Sequence, residues 1–180
     1  MPAIEIRPAI SSDIPLIMNL GHDFTSDHVF QMDLQMDEGQ VDVQFRLVQL
    51  PRSVRVEYPH SPKMLADDWT GRSGLLVVIL AGKPVGYVSM MQNLAPTTTW
   101  VTDLVVSKPH RRQGIGSAMI LAAQEWAASQ AKSRRLVLEM QPKNYPAIRL
   151  SQKLGFEFCG YQDHQYANND VAIFFEKWIS

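Results

Sequence analysis

The stretch Val105-Val106-Ser107-Lys108-Pro109-His110-Arg111-Arg112-Gln113-Gly114-Ile115-Gly116-Ser117-Ala118 constrains this chain more than any other. It passes from strand-forming residues through a basic turn with two glycines into a helical pattern. Backbone N–H groups at a helix start lack intrahelical partners and carry the positive end of the dipole, so such a layout suits a phosphate. Gly114 and Gly116 let a phosphate approach the backbone, and Arg111 and Arg112 add charge at the entrance. A Walker A loop is excluded, because Gly116 is followed by Ser117-Ala118 instead of Lys-Ser or Lys-Thr. A dinucleotide fingerprint is excluded too, since Met119 stands where a glycine or small residue belongs. What remains is R-x-x-G-x-G on Arg111, Gly114 and Gly116, a pattern that glycines serving only tight helix packing would also produce.

Regular elements surround the loop. Residues 75–81 form an apolar run, Gly82-Lys83 turns, and residues 85–91 return, which predicts a hairpin. Residues 100–106 predict another strand. Ile115, Met119, Ala122 and Trp126 mark the buried stripe of a helix over about 117–131. Residues 136–140 predict a strand, and Asn144 then caps a helix with Pro146 in its first turn, ending at Gly155. Residues 156–161 and 171–178 predict two closing strands. At the other end, Ile4 and Ile6 alternate with Glu5 and Arg7, which predicts a first strand rather than a signal peptide. Ser11-Ser12-Asp13 offers the cap of a helix near residues 13–24, with Pro15 in its first turn. Residues 25–60 are the least regular. Val41, Val43, Phe45 and Leu47 alternate with polar residues, as do Val54, Val56 and Tyr58, and mixed helix and loop with one or two short strands is expected. This order predicts an α/β (α+β) domain, a mixed sheet with helices on its faces.

A chain of 180 residues with 46% hydrophobic and 19% charged residues suits one globular domain with a substantial core. No apolar run approaches the roughly 18 residues of a membrane span. A formal net charge of −1 argues against nucleic acid as the main partner. The single cysteine, Cys159, excludes an internal disulfide and CxxC metal spacing, and is expected to be a buried strand residue. A cytoplasmic protein without a metal or a membrane partner is the expectation.

The loop, then residues 136–140, then Asn144-x-x-Ala147, then Lys153-Leu154-Gly155-Phe156 resembles the GNAT superfamily of acyl-CoA-dependent N-acetyltransferases. The resemblance runs from about residue 75 to residue 178, and residues 101–179 are similar in particular to the streptothricin-acetyltransferase branch. It implies a mixed, mostly antiparallel sheet with helices on both faces and a splay between the strands at residues 100–106 and 135–141. Within one domain, 1–180, it implies an acyl-CoA-binding core at 75–178 and a variable region at 25–70 that shapes the acceptor site. By position, Leu104, Val105 and Val106 would pair through their backbone with the pantetheine arm. Arg111, Arg112, Gln113, Gly114, Ile115, Gly116 and Ser117 would cradle the pyrophosphate. Asn144 would hydrogen-bond the arm, and Ala147 would leave room for it. The implied reaction moves an acetyl group from acetyl-CoA, a cosubstrate, to a primary amine on a small molecule or peptide by direct attack. Backbone N–H groups near Leu104 would stabilise the developing negative charge. A homodimer is compatible with this reading. The other reading is a domain that binds acyl-CoA as a sensor or interaction module without catalysis.

One position departs from the superfamily. Where many members carry a tyrosine that protonates the leaving sulfur, this chain has Ser151, which shares a helix face with Asn144 and Ala147. A lysine-like acceptor amine has a pKa of about 10.4, so deprotonating it near pH 7 costs roughly 4.6 kcal/mol. A thiol, with a pKa of about 8.5, already leaves tolerably. Removing the amine proton is therefore the larger task. Asp103 and Glu139, one on each splayed strand, are the candidate bases, and both are also ordinary strand carboxylates. Tyr161, His164 and Tyr166 are candidates for the missing acid. Asp23, Asp27, Asp33, Asp37 and Glu38 either attract a cationic amine or form a solvated surface.

Overall fold

The computed structural model describes residues 3–179. In chain order the elements are β1 (Glu5–Pro8), α1 (Ile14–Met18), β2 (Phe24–Asp37), β3 (Gln40–Val56), α2 (Pro62–Asp68), β4 (Gly74–Leu80), β5 (Lys83–Met91), β6 (Thr98–Val106), α3 (Ile115–Ser129), β7 (Arg135–Met140), α4 (Tyr145–Lys153), β8 (Glu157–Gln162) and β9 (Ala172–Trp178). Seven strands form one sheet in the order β1-β4-β5-β6-β7-β9-β8, and β2 pairs with β3 alone. Every neighbouring pair in the large sheet is antiparallel except β6 and β7. The expected β4–β5 hairpin turns at Ala81 and Gly82, whose φ values of 49° and 75° match the twist of the flanking strands. Residues 1, 2 and 180, at the ends of the expected single domain, lie outside the described residues.

Apolar residues cover both faces of the sheet. On one face Ile115, Met119, Ile120, Ala123 and Ala127 of α3 and Ile148 of α4 pack against Leu76, Val88, Met90, Val101, Leu136 and Leu138. On the other, Ile14 and Ile17 of α1 and Leu65 of α2 cover Leu75, Val77, Tyr87 and Val105. The buried stripe of α3 therefore differs from the expected one, with Ala122 and Trp126 at its margin. Trp126 lies so close to Gly74 that a Cβ there would come within 2.8 Å of its ring, which holds the helix tight against β4.

Two irregularities in β6 position the site. It pairs with β7 only from Thr98↔Arg135 to Val101↔Leu138, after which the strands part and leave one edge of Thr102–Val106 without a strand neighbour. Against β5, Asp103 faces Ser89 while Val101 faces Met90, so Thr102 is an extra residue in β6. That bulge reverses the alternation. Val101 points to the α3 face, whereas Val105 points to the α1–α2 face.

Residues 25–60 depart most from expectation. They form a long two-stranded ribbon from Phe24↔Val56 to Asp37↔Gln40, turning at Glu38 and Gly39, where Gly39 has a φ of 79°. Phe30↔Leu47, Met32↔Phe45, Leu34↔Val43 and Met36↔Val41 are paired in register and give it one apolar face. Its base is anchored by the Phe30 N–H to the Pro142 carbonyl at 3.0 Å and by Phe45 against Phe158 and Tyr161. Beyond that anchor Leu34, Met36, Val41 and Val43 are exposed. Helix α1 stops at Met18, because Phe24 already belongs to the ribbon. Asp13 does not cap it through its side chain, since the carboxylate binds the Arg7 guanidinium at 2.7 and 3.0 Å and accepts the Ile10 N–H. Cys159 is exposed, because β8 is the edge strand of the sheet.

Candidate active site

The loop after β6 turns sharply into α3, as its glycines suggested, but Arg111 does not stand at its entrance. Arg112 and Gly114 both adopt positive φ, 64° and 85°, and turn the chain sharply into α3. The first intrahelical bond runs from the Ala118 N–H to the Gly114 carbonyl at 3.1 Å, so the N–H groups of Ile115, Gly116 and Ser117 have no intrahelical partner. Gly116 also faces α4, where a Cβ would meet the Leu150 side chain at 3.0 Å. Arg112, Gln113 and Gly114 are exposed, and Arg111 is half-buried. The Arg111 guanidinium binds three carbonyls, of Val106, Asp23 and Gly21, at 2.8, 2.9 and 2.7 Å. Its side chain thus ties the loop to the segment before β2, while Arg112 stays exposed.

Where β6 and β7 part, a narrow cavity opens between them. Leu104, Leu138, Gln141, Asn144, Ala147, Ser151 and Tyr166 contribute to its lining. The Asn144 Oδ1 accepts the Ala147 N–H at 3.2 Å and caps α4 as expected. Ser151 is buried and its hydroxyl donates to the Ala147 carbonyl at 2.8 Å, so its proton is directed back into its own helix. Gln141 is buried with its Nε2 on Asp170 at 2.8 Å, while its Oε1 has no partner. A buried acceptor without a donor is costly, and an amide N–H from a bound chain would satisfy it. These residues fit an extended, amide-bearing arm such as that of coenzyme A.

A second cavity, of about 190 Å³, lies across the splay and shares Tyr58, Thr102 and Glu139 with the first. His60, Arg72, Tyr87, Asp103 and Gln165 also line it. Re-aimed by the bulge, Asp103 is 4% exposed and accepts hydrogen bonds from the Tyr58 hydroxyl and His60 Nδ1 on Oδ1, each at 2.8 Å. The Thr102 hydroxyl donates to Oδ2 at 3.1 Å, and Arg72 stands 3.9 Å from the same oxygen. Burial alone would raise the Asp103 carboxyl, but His60, Tyr58 and Arg72 together outweigh it and hold it below the usual carboxylate range. Desolvation would lower the His60 imidazole, yet its bond to Asp103 and the charges of Asp103 and Glu139 leave it raised. His60 Nε2 faces Glu139 Oε1 at 3.9 Å. Burial pushes the Glu139 carboxyl up, against the opposing pull of His60 and the Tyr166 hydroxyl.

The two carboxylates expected at the site are thus brought together, and Tyr166 joins them. Tyr161 instead packs on Phe45 of the ribbon, and His164 is exposed beside Asp163. The acidic residues of the ribbon region line neither cavity. Asp23 is neutralised by Lys108 and Arg55, each at 2.7 Å, Asp27 binds His28, and Asp33 binds Arg46. Asp37 and Glu38 are exposed at the ribbon tip. Tyr58, His60 and Arg72 were missed. The one local signal was Tyr58-Pro59-His60-Ser61-Pro62, in which two prolines stiffen the link between β3 and α2. No helix among the described residues is long and apolar enough to cross a membrane.

Known proteins resemble this chain in sequence and fold. Streptothricin acetyltransferase of Streptomyces lavendulae is 26% identical over 174 residues, covering 90% of this chain and 86% of that protein. The crystal structure of nourseothricin acetyltransferase superposes with a TM-score of 0.83 at 24% identity, covering 99% of both chains. A Bacillus anthracis chain assigned as a streptothricin acetyltransferase, in complex with acetyl coenzyme A, gives a TM-score of 0.76 at 19% identity, covering 98% of this chain and 99% of that one. The last two likenesses concern the fold. Residues 45–156 match the acetyltransferase (GNAT) family, and that match takes in both walls of the splay, the loop and all of α4. The chain belongs to the GNAT family of acetyltransferases.

Proposed function

We propose that this protein transfers the acetyl group of acetyl-CoA to a primary amine on a small cationic molecule. The reading is carried by one observation: Glu139 and Thr102 line both cavities, so a group in each would meet where β6 and β7 part. The N–H groups of Ile115, Gly116 and Ser117, with Arg112 beside them, would hold the pyrophosphate. Gln141, Ala147 and the open edge of Leu104, Val105 and Val106 would hold the pantetheine arm. The cosubstrate supplies an acyl carbon bonded to a sulfur that leaves readily, and the chain's own residues bring an amine to it and manage the protons. Glu139 has a buried carboxylate beside a cavity that admits a slender aminoalkyl arm, and an ammonium group is its natural complement. That favours a flexible cationic acceptor over the blunt N-terminus of a folded protein, and the streptothricin acetyltransferase relative points the same way.

Thiol release from acetyl-CoA, measured with streptothricin, spermine and short peptides as acceptors, tests this directly. Release that depends on the amine and is fastest with a flexible cationic one is the expected result. A protein whose melting temperature rises with coenzyme A, but which releases no thiol with any amine, would be a binding module instead.

A further inference from the structure

We infer that His60 takes the proton from the acceptor amine, with Asp103 and Tyr58 as positioning residues that hold its imidazole in place. This rests on the acetyl-transfer reading above. Asp103 is badly placed to be the base itself. It is buried, and its oxygens already accept from Tyr58, His60 and Thr102. An ionised carboxylate only accepts hydrogen bonds, so the 2.8 Å contact requires the proton to reside on His60 Nδ1. The neutral imidazole then presents a lone pair on Nε2, aimed toward Glu139. At 3.9 Å the two atoms are too far apart for a hydrogen bond to each other. A single ammonium nitrogen at hydrogen-bond distance from both could donate one N–H to each. Glu139 would then hold the positive charge, and His60 would remove it.

The groups facing His60 come from five parts of the chain. They are Asp103 on β6, Glu139 on β7, Arg72 ahead of β4, Tyr58 on its own segment, and Tyr166 between β8 and β9, whose ring lies 5.3 Å away edge-on. The two carboxylates raise the imidazole and Arg72 lowers it. An ammonium group arriving beside Nε2 adds a second like charge and favours the neutral, proton-accepting form. The balance of the reaction is then complete. The ammonium gives one proton to Nε2, its nitrogen forms a bond to the acetyl carbon, and the carbon–sulfur bond breaks. The second amine proton passes to the leaving sulfur, and His60 returns its proton to solvent.

His60→Asn keeps an N–H donor for Asp103 but lacks the Nε2 lone pair. Turnover should fall by about 10²–10⁴-fold, the range of a general base. The Michaelis constant of the amine should change less than about threefold, and the melting shift with coenzyme A should persist. Because the imidazole is raised in the free protein, the acidic limb of kcat/KM for the unmodified enzyme should have its midpoint above the ordinary histidine value of about 6.5. That limb should vanish in His60→Asn, and imidazole in solution should restore part of the activity of His60→Ala. Turnover of His60→Asn within threefold of the unmodified enzyme, or an unchanged acidic limb, would overturn the assignment. A readout independent of turnover is the His60 titration followed by NMR, whose midpoint should fall in Asp103→Asn. An unmoved midpoint would overturn the coupling to Asp103. Absence of amine-dependent thiol release from the unmodified protein, with the titration shift intact, would overturn the acetyl-transfer reading and with it the role of His60 as a base.

Discussion

The two sides of the splay are built in opposite ways. Apart from Tyr166, the proposed donor side comes from one stretch, from Leu104 to Ser151, and works mainly through backbone: an open strand edge, a left-handed turn at Gly114 and the free N–H groups of α3. The proposed acceptor side is made of side chains from five separated positions, Tyr58, His60, Arg72, Asp103 and Glu139. A backbone site tolerates many side chains but demands a particular local geometry. A side-chain site demands particular residues but leaves their spacing in the chain free. The donor side should therefore fail through shape and charge at the loop, and the acceptor side through the loss of single functional groups.

The largest effect on coenzyme A binding should come at Gly116. A carboxylate about 4 Å from a phosphate charge costs roughly 4 kcal/mol near a protein surface, so Gly116→Asp should weaken coenzyme A binding by about 10³-fold. Gly116→Ala meets Leu150 in the same way but adds no charge, so the difference between the variants isolates electrostatics from packing. Melting shifts with coenzyme A are the measurement. Equal shifts in Gly116→Asp and the unmodified protein would break the distinction between the two sides. A smaller effect belongs to Ser151, which lines the donor cavity but directs its proton into α4. Ser151→Ala should reduce turnover by less than about tenfold, below the range of a general acid. A loss beyond a hundredfold with coenzyme A binding intact would make the hydroxyl a proton donor. The smallest effect is expected from Asp27→Asn combined with Asp33→Asn. Their partners are His28 and Arg46 on the ribbon, away from both cavities. Exposed ion pairs contribute about 0–1 kcal/mol, so stability should barely change and the Michaelis constant should stay within about twofold. A larger rise would bring the ribbon into the acceptor site.

The ribbon shows how far pattern reading reaches. Val41, Val43, Phe45 and Leu47 alternate visibly, but their partners Met36, Leu34, Met32 and Phe30 include methionines with little strand preference, so the pattern of the partner strand is weak. Glu38-Gly39 was the overlooked signal, a two-residue turn ending in glycine. By contrast, α4 was read almost to the residue. Asn144 caps it, Pro146 occupies its first turn, and Gly155 ends it with a φ of 80°, all through interactions within a few residues. Asp103 stands between these cases. Its strand was evident, but the face on which it emerges depends on the bulge at Thr102, which is defined only by pairing with Ser89 and Met90.

By itself the sequence determined the succession of strands and helices along the chain around the loop, the glycine turn into α3 and the capped helix α4, because these follow from backbone preferences of adjacent residues. It also placed Asp103 and Glu139 on strands, while the resemblance to the GNAT superfamily implied that those two strands are neighbours. Only the tertiary structure decided that Asp103 turns toward the α1–α2 face, that Tyr58 and His60 close on it from 45 and 43 residues away, and that Ser151 turns its hydroxyl into its own helix. The reason is physical. A cap or a turn is satisfied by neighbours in the chain, whereas a buried carboxylate must find donors wherever the fold brings them.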